Sequence, residues 1–296
     1  MPTTEGAWTI RRLLEWTNGF FTRKKVDAPR RSAELLLSHV LKLPRISLYT
    51  QFERPLEESQ LSEFRELVRR AGEQEPIAYL TRKAHFFNLE LDVTRDVLIP
   101  RPDTEVLVEQ VISRAKQQVG MERPRVLDLC TGSGCIALAI AKQIPALLVT
   151  ATDISPAALD VARRNAKKLG LDERIVFLQG DLFDALDTAV DRQPYHLIVS
   201  NPPYIARPQL ATLDKSVRDF EPRLALDGGE DGLDFHRRIL ARAADHLLPG
   251  GRIYLEIAFD QGPAALELAQ AHPALHTPQL LKDYAGQNRV LTLQKP

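Results

Sequence analysis

The sequence predicts an α/β protein, a parallel, doubly wound sheet preceded by a small helical bundle. Three observations carry that expectation. Strand-like and helix-like segments alternate from Arg125 to the C-terminal end, as parallel sheets with crossover helices require. Up to about Thr81 the apolar residues follow helical spacing alone. The 296 residues suffice for about two domains.

In chain order, Thr9 to Phe20 places Ile10, Leu13, Leu14 and Thr17 on one face. Ala33 to Leu41 is almost wholly apolar and reads as a buried helix. Leu61, Phe64, Leu67 and Val68 form the apolar stripe of a third helix, and Pro44 and Pro55 punctuate the segment. After Pro76, Phe87, Leu89, Leu91 and Val93 alternate as in a hairpin, with Asn88 suited to a turn of positive φ. Leu98–Glu105 is stiffened by Pro100 and Pro102, and Asp103 or Thr104 can cap a helix over Val106–Gln118. Strands are expected at 126–129, 147–152, 175–178, 196–200, 252–257 and 289–293. Helices are expected at 135–143, 156–169, 235–248 and 263–271. The division expected is a helical domain over 1–82, a hairpin linker over 83–99 and a sheet domain over 100–296.

Lys+Arg and Asp+Glu both number 39, so the formal charge is zero. A protein held on nucleic acid by bulk charge would show a basic excess. The total hides a split, because residues 1–95 carry a net +3 and the remainder −3. No apolar run reaches the roughly 18–20 residues of a membrane span. Met1–Gly6 lacks a signal peptide's basic and apolar regions, so a cytoplasmic protein is expected. Cys130 and Cys135 are too few for a disulfide framework and wrongly spaced for zinc.

Two loops hold the chemistry. Asp128-Leu129-Cys130-Thr131-Gly132-Ser133-Gly134 joins the first sheet strand to the next helix, and its glycines let a ligand approach the main chain. Asp153, nineteen residues beyond Gly134, ends the second strand, where a carboxylate can accept from both ribose hydroxyls of an adenosine. The loop also fits the dinucleotide fingerprint, so a nicotinamide enzyme stays open on this loop alone. The second loop is Asn201-Pro202-Pro203-Tyr204, at the end of the fourth strand. Its prolines fix φ and remove two donors, leaving carbonyls free to accept. The Asn201 side-chain oxygen and the Pro202 carbonyl can accept both N–H bonds of a planar NH2 group, and Tyr204 can pack against its face.

With these motifs in view, the chain resembles the HemK/PrmC family, S-adenosylmethionine-dependent methyltransferases acting on N5 of a glutamine in peptide chain release factors. The resemblance covers nearly the whole chain: Glu75–Thr81, Leu98–Glu105, the glycine loop, Asn201–Tyr204, Phe220–Pro222, Asp231–Leu233 and Lys282–Val290. It implies a seven-stranded Rossmann-like sheet preceded by a domain that recognises the release factor, whose Gly-Gly-Gln loop carries the substrate glutamine. It implies that Cys130, Thr131, Gly132, Ser133, Gly134 and Asp153 hold S-adenosylmethionine, with Leu182 beside the adenine and Asn201 within reach. Asn201, Pro202, Pro203 and Tyr204 would hold the glutamine amide, with Asn201, Pro202 and Tyr204 catalytic. No metal, nucleic acid or membrane partner is implied, and a monomer is expected. Methylation of a ribosomal protein or of adenine N6 is the alternative. The chain departs from the family pattern at Arg82 and Asn88, where glycines are usual, and at Leu182, where some members carry an aromatic.

Among other candidates, the acidic run Asp227, Glu230, Asp231 and Asp234 reads as a solvated loop rather than a metal site. Asp128 can orient the glycine loop or the cofactor's amino end, or serve a purely structural role. Glu256 ends a buried strand near the crevice. Both cysteines read as small packing residues.

Overall fold

The structure, a computed structural model, describes residues 7–117, 124–188 and 193–296. Met1–Gly6 and Gln118, the expected end of one helix, lie outside the described residues. Internal contacts divide the chain into two units, Met1–Lys83 with Asp214–Phe220, and Ala84–Leu213 with Glu221–Pro296.

The first unit is built from α1 (Ile10–Lys24), α2 (Pro29–Leu41), α3 (Arg45–Thr50), α4 (Glu58–Gly72) and α5 (Ile77–Thr81). Thr9 caps α1 by accepting from the Arg12 N–H, and Glu57 and Gln60 form a capping box on α4. The stripes on α1 and α4 meet α2, so Ile10, Leu14, Leu36, Leu37 and Phe64 make one buried cluster. Glu34, in the middle of the apolar α2, is only 2% exposed. It accepts from Arg30 at 2.9 Å, from Arg45 at 2.8 Å and from the Tyr49 hydroxyl. Burial pushes its carboxyl up, but these three donors outweigh that and hold it below the ordinary value. Arg82 ends α5 at φ 58°, a left-handed conformation that glycine would adopt without strain.

The second unit opens with the hairpin β1 (Lys83–Phe86) and β2 (Leu89–Asp92), turned by Phe87 and Asn88 at φ 47° and 62°. The segment expected as a linker packs into this unit, because Phe86, Leu89 and Leu91 are buried in its core. Then follow α6 (Asp103–Gln117), β3 (Arg125–Leu129), α7 (Cys135–Gln143), β4 (Leu148–Asp153), α8 (Pro156–Leu169), β5 (Ile175–Gln179) and β6 (Tyr195–Ser200). A short helix, α9 (Lys215–Arg218), groups with the first unit. The chain closes with α10 (Asp234–His246), β7 (Leu247–Glu256), α11 (Gly262–Gln270), β8 (His276–Lys282) and β9 (Asn288–Gln294).

The seven strands form one sheet in the order β5-β4-β3-β6-β7-β9-β8. From β5 to β7 all pairings are parallel, whereas β9 runs antiparallel to both β7 and β8. Side chains alternate between two cores. Val126, Val149, Leu197 and Val199 face α6 and α7, while Leu127, Leu129, Ile198 and Ile253 face α10 and α11.

Two elements differ from expectation. The strand β8 carries no alternating pattern, since Pro278 lies within it and its residues are half-buried or exposed at a sheet edge. The helix expected over 235–248 ends at His246, and Leu247 to Gly251 belong to β7, where the Gly250 N–H donates to Lys295 and the Lys295 N–H to Gly251. No helix among the described residues is long and apolar enough to cross a membrane. Leu127 is fully buried on the central strand. Leu127→Ala is expected to lower unfolding free energy by about 2–5 kcal/mol in urea titration; a loss under about 1 kcal/mol would contradict that packing.

Candidate active site

The strand order reverses between β3 and β6, which pair in parallel register with Leu129 beside Ser200. The crevice beyond the carboxyl ends of two such strands is where open α/β sheets bind ligands. The residues leaving these strands are the glycine loop and Asn201–Tyr204. A bond of 2.7 Å from the Ser200 hydroxyl to the Leu129 carbonyl ties the two exits together. Above them opens a cavity of about 480 Å³, within the usual range for small-molecule sites.

Cys130, Thr131, Gly132, Ser133, Asp153, Leu182, Asn201 and Pro203 all line this cavity. Pro202, Tyr204 and Gly134 do not. Gly134 starts α7 at φ 83°, and a Cβ there would press on Leu138 at 3.1 Å and Ala162 at 3.2 Å. Its role is therefore close helix packing. A Cβ on Gly132 would meet nothing within 4 Å, so its bare backbone fronts open space. Asp153 accepts from the Gly132 N–H at 2.8 Å and the Ser155 N–H at 2.9 Å, one on each oxygen. Each oxygen keeps a second lone pair for a hydroxyl. Leu182, at φ 52°, is joined by Ile154, Leu224 and Phe235 as apolar wall. These groups fit an adenosine, with ribose acceptors beside apolar surface for a base.

The loop is braced from below. Asp128 accepts from Thr131 at 2.6 Å and from the Ala137 N–H at 3.2 Å, tying the loop to the start of α7. Burial raises its carboxyl to about 7. Asn165, fully buried on α8, accepts from the Asp92 N–H at 2.7 Å and donates to Asp92 at 3.0 Å and to Ser133 at 2.9 Å. One amide thus joins hairpin and glycine loop. No sequence signal marks it, because a lone Asn in a helix ordinarily faces solvent. Burial pushes the Cys135 thiol to about 12 and the Cys130 thiol up as well, so neither is a thiolate nucleophile at neutral pH.

The tetrapeptide is held on every side. Gln261 donates to the Tyr204 carbonyl at 2.8 Å, and the Ile205 N–H to Leu226 at 3.0 Å. A Cβ on Gly228 would lie 2.7 Å from the Tyr204 Cα, so the glycine-rich loop must come this close. Three acidic residues of that loop serve ion pairs: Asp227 accepts from Arg207 at 3.3 Å, while Asp231 and Asp234 accept from Arg237 at 2.9 and 3.1 Å. No metal-binding cluster occurs among the described residues. Thr104, expected as a cap, sits inside the first turn of α6 and accepts from the Asn201 amide at 3.1 Å. Glu221, buried, pairs with Arg101 and accepts from the Ile99 N–H at 3.1 Å, pinning the proline connector. Its partners lie some 120 residues away in sequence, which is why spacing alone does not reveal it.

Glu256, fully buried at the end of β7, accepts from the Tyr204 hydroxyl at 3.2 Å. Burial raises its carboxyl to about 7, against the lowering effects of Thr104, Arg289 and Tyr204. Its main-chain carbonyl meets the buried His236 ring at 2.7 Å, and burial lowers that imidazole to about 4, so it is neutral. A carboxyl raised in the folded state stabilises the fold fully below its ordinary value, and that contribution fades as pH rises to about 7. Glu256→Gln is therefore expected to flatten the decline of unfolding free energy between about pH 4.5 and 7. An unchanged slope in urea titrations across that range would contradict the burial effect.

Comparison with known proteins agrees with this geometry. Residues 12–81 match the PrmC N-terminal domain and residues 102–230 the methyltransferase small domain. A release factor glutamine methyltransferase of Rhodopirellula baltica is 43% identical over 97% of both chains. One from Geobacter sulfurreducens is 44% identical, covering 88% of this chain and 87% of its own. One from Moorella thermoacetica is 45% identical over 89% and 90%. The hMettl16 catalytic domain, solved with an RNA hairpin, superposes with TM-score 0.53 at 17% identity, covering 70% of this chain and 76% of its own, and shares the fold alone. With a glycine loop and an Asn-Pro-Pro-Tyr turn meeting at one switch point, and such identity over nearly its whole length, the chain belongs to the release factor glutamine methyltransferase family.

Proposed function

We propose that the chain methylates the side-chain amide nitrogen of the glutamine in the Gly-Gly-Gln loop of peptide chain release factors. The observation that carries this reading is the position of Asn201, beside the glycine loop on the cavity wall with its NH2 end already engaged by Thr104. That leaves its oxygen for a ligand that donates.

S-adenosylmethionine, when bound, supplies an electrophilic methyl group on a sulfonium. Cys130–Ser133 would hold its methionine part, Asp153 its ribose and Leu182 its adenine. An amide nitrogen is a poor nucleophile because its lone pair is delocalised into the carbonyl. Asn201 Oδ1 would accept one of its N–H bonds and aim the nitrogen at the methyl, a contribution of positioning and electrostatics, whereas Pro202, expected to accept the other, does not line the cavity. Tyr204, its phenol kept protonated by burial and bound to Glu256, supports this turn from behind rather than from the cavity wall. The walls formed by Pro100, Pro203 and Pro222 are apolar, and a dry site favours a transition state in which charge is being dispersed.

The helical unit would recognise the release factor. Trp16, Ile46 and Tyr49 are 50%, 73% and 43% exposed on it, and residues 1–45 hold nine basic and four acidic side chains. The chain would act as a monomer in the cytoplasm, where release factors work.

The direct test is transfer of labelled methyl to a purified release factor, with and without its Gly-Gly-Gln glutamine. Label confined to the intact factor is expected; label on adenine, or none at all, would overturn the reading. Asn201→Ala should lower kcat by about a hundredfold or more while sparing cofactor affinity; near-normal kcat would remove its assigned role. Asp153→Ala should raise the cofactor Kd about tenfold or more in calorimetry, with the fold intact by circular dichroism. An unchanged Kd would refute the ribose contact.

A further inference from the structure

Asn165 is 0% exposed on α8 and does not line the cavity. Its amide oxygen accepts from the Asp92 N–H at 2.7 Å, and its NH2 donates to the Asp92 carbonyl at 3.0 Å and to the Ser133 carbonyl at 2.9 Å. A side-chain amide has one acceptor oxygen and two N–H donors, and here all three are engaged. Turned over, it would set N–H against N–H and oxygen against two carbonyls, so its partners fix its orientation.

Each partner leads to the cavity by its own route. Ser133 belongs to the glycine loop and lines the cavity. Asp92 ends β2, none of which lines it, but the run from Arg95 to Leu98, three residues on, does. By bonding both backbone groups of Asp92, Asn165 gives the strand end what a neighbouring strand would give. One turn earlier on α8, the Ala162 side chain would lie 3.2 Å from a Cβ on Gly134. The helix therefore grips two successive residues of the loop as well as the end of β2. We infer that Asn165 is a positioning residue for the cofactor, locking the glycine loop to the end of β2 so that cofactor held by the loop is also felt at β2. This inference concerns the cofactor alone and does not depend on which group accepts the methyl.

With the lock in place, both wall segments are ordered before the cofactor enters, and binding does not bear that cost. Without it, only a fraction of molecules hold both segments ready, and the apparent Kd rises by the inverse of that fraction. The coupling is reciprocal, so bound cofactor must steady Asp92. Lys168, on the next turn of α8, also reaches the hairpin, at 2.7 Å from Asp92 and 3.3 Å from Glu90. These are partly exposed side-chain ion pairs, which contribute little. Lys168 thus serves as a control that anchors the hairpin to α8 through its side chains.

The experiment combines amide hydrogen exchange by NMR with calorimetric titration of S-adenosylmethionine, on the full chain, for wild type, Asn165→Leu and Lys168→Met. In the wild type, saturating cofactor should slow exchange of the Asp92 N–H by about tenfold or more. No comparable change should reach the Gly250 N–H, bonded to Lys295 toward the other end of β7. Asn165→Leu keeps side-chain bulk, and its Kd should rise about tenfold or more at a temperature where circular dichroism shows it folded. Its kcat at saturating cofactor should stay within about twofold of wild type, because bound cofactor restores the loop. Lys168→Met should leave Kd within about twofold. A residue that only satisfied the strand end would lower Tm and leave the Kd of the folded protein alone. Wild-type Kd in Asn165→Leu, an equal rise in both variants, or a loss of kcat that cofactor does not restore would overturn the inference. So would an Asp92 N–H indifferent to cofactor in the wild type, a comparison that decides alone if Asn165→Leu does not fold. A wild type that binds cofactor but methylates no release factor overturns the substrate reading only, since Kd and exchange are read without turnover.

Discussion

The parallel pairing of β3 with β6 is the constraint on which the site depends. These strands are separated by about seventy residues, yet their register sets Leu129 beside Ser200 and ties them by a side-chain bond. Because a parallel sheet sends all its carboxyl ends the same way, the loop leaving β3 and the turn leaving β6 emerge together. The crossover that carries the chain from one side of β3 to the other leaves a crevice there. A cofactor loop and an amide-binding turn can therefore face one cavity without either being long or flexible.

The same geometry explains why the loops are braced by groups from distant elements. Buried backbone at the end of a sheet needs partners that the sheet no longer supplies. Asp128 and Asn165 supply them to the glycine loop, while Gln261 and the loop around Gly228 supply them to the tetrapeptide. Asp128 and Asn165 are fully buried and Gly228 is a bare glycine, which fixes position at the expense of tolerance to substitution. Asp128 and Glu256 share a feature: both are carboxyls raised to about 7 by burial and placed just behind a functional loop. Clustering of perturbed groups around a site is what functional preorganisation produces.

Much of this was legible from residue order. Helical spacing in Ile10, Leu13, Leu14 and Thr17 named a face that is buried, and the fourth strand was readable as running straight into Asn201. The departures at Arg82 and Asn88 acquire a physical sense, since both adopt positive φ where glycine is unstrained. Other features left no local trace. The edge strand β8 lacks alternation because neither of its faces is deeply buried. The hairpin's alternation identified two strands but not the core into which Phe86, Leu89 and Leu91 pack. Tyr204 and Pro202 belong to the motif by sequence, yet lie behind the cavity wall rather than on it.

By itself the sequence determined the alternating elements, the two loops and the residue types that can bind an adenosine and an NH2 group. Those properties are local, because periodicity, proline and glycine act through neighbouring residues in the chain. Only the tertiary structure decided which side chains stand behind the loops and which partners they bond there. Thr104, Asn165, Glu221 and Glu256 acquire their roles from partners reached through folding, between about 30 and 120 residues away. A hydrogen bond's direction depends on the full set of donors and acceptors around it, and that set exists only once the chain is packed.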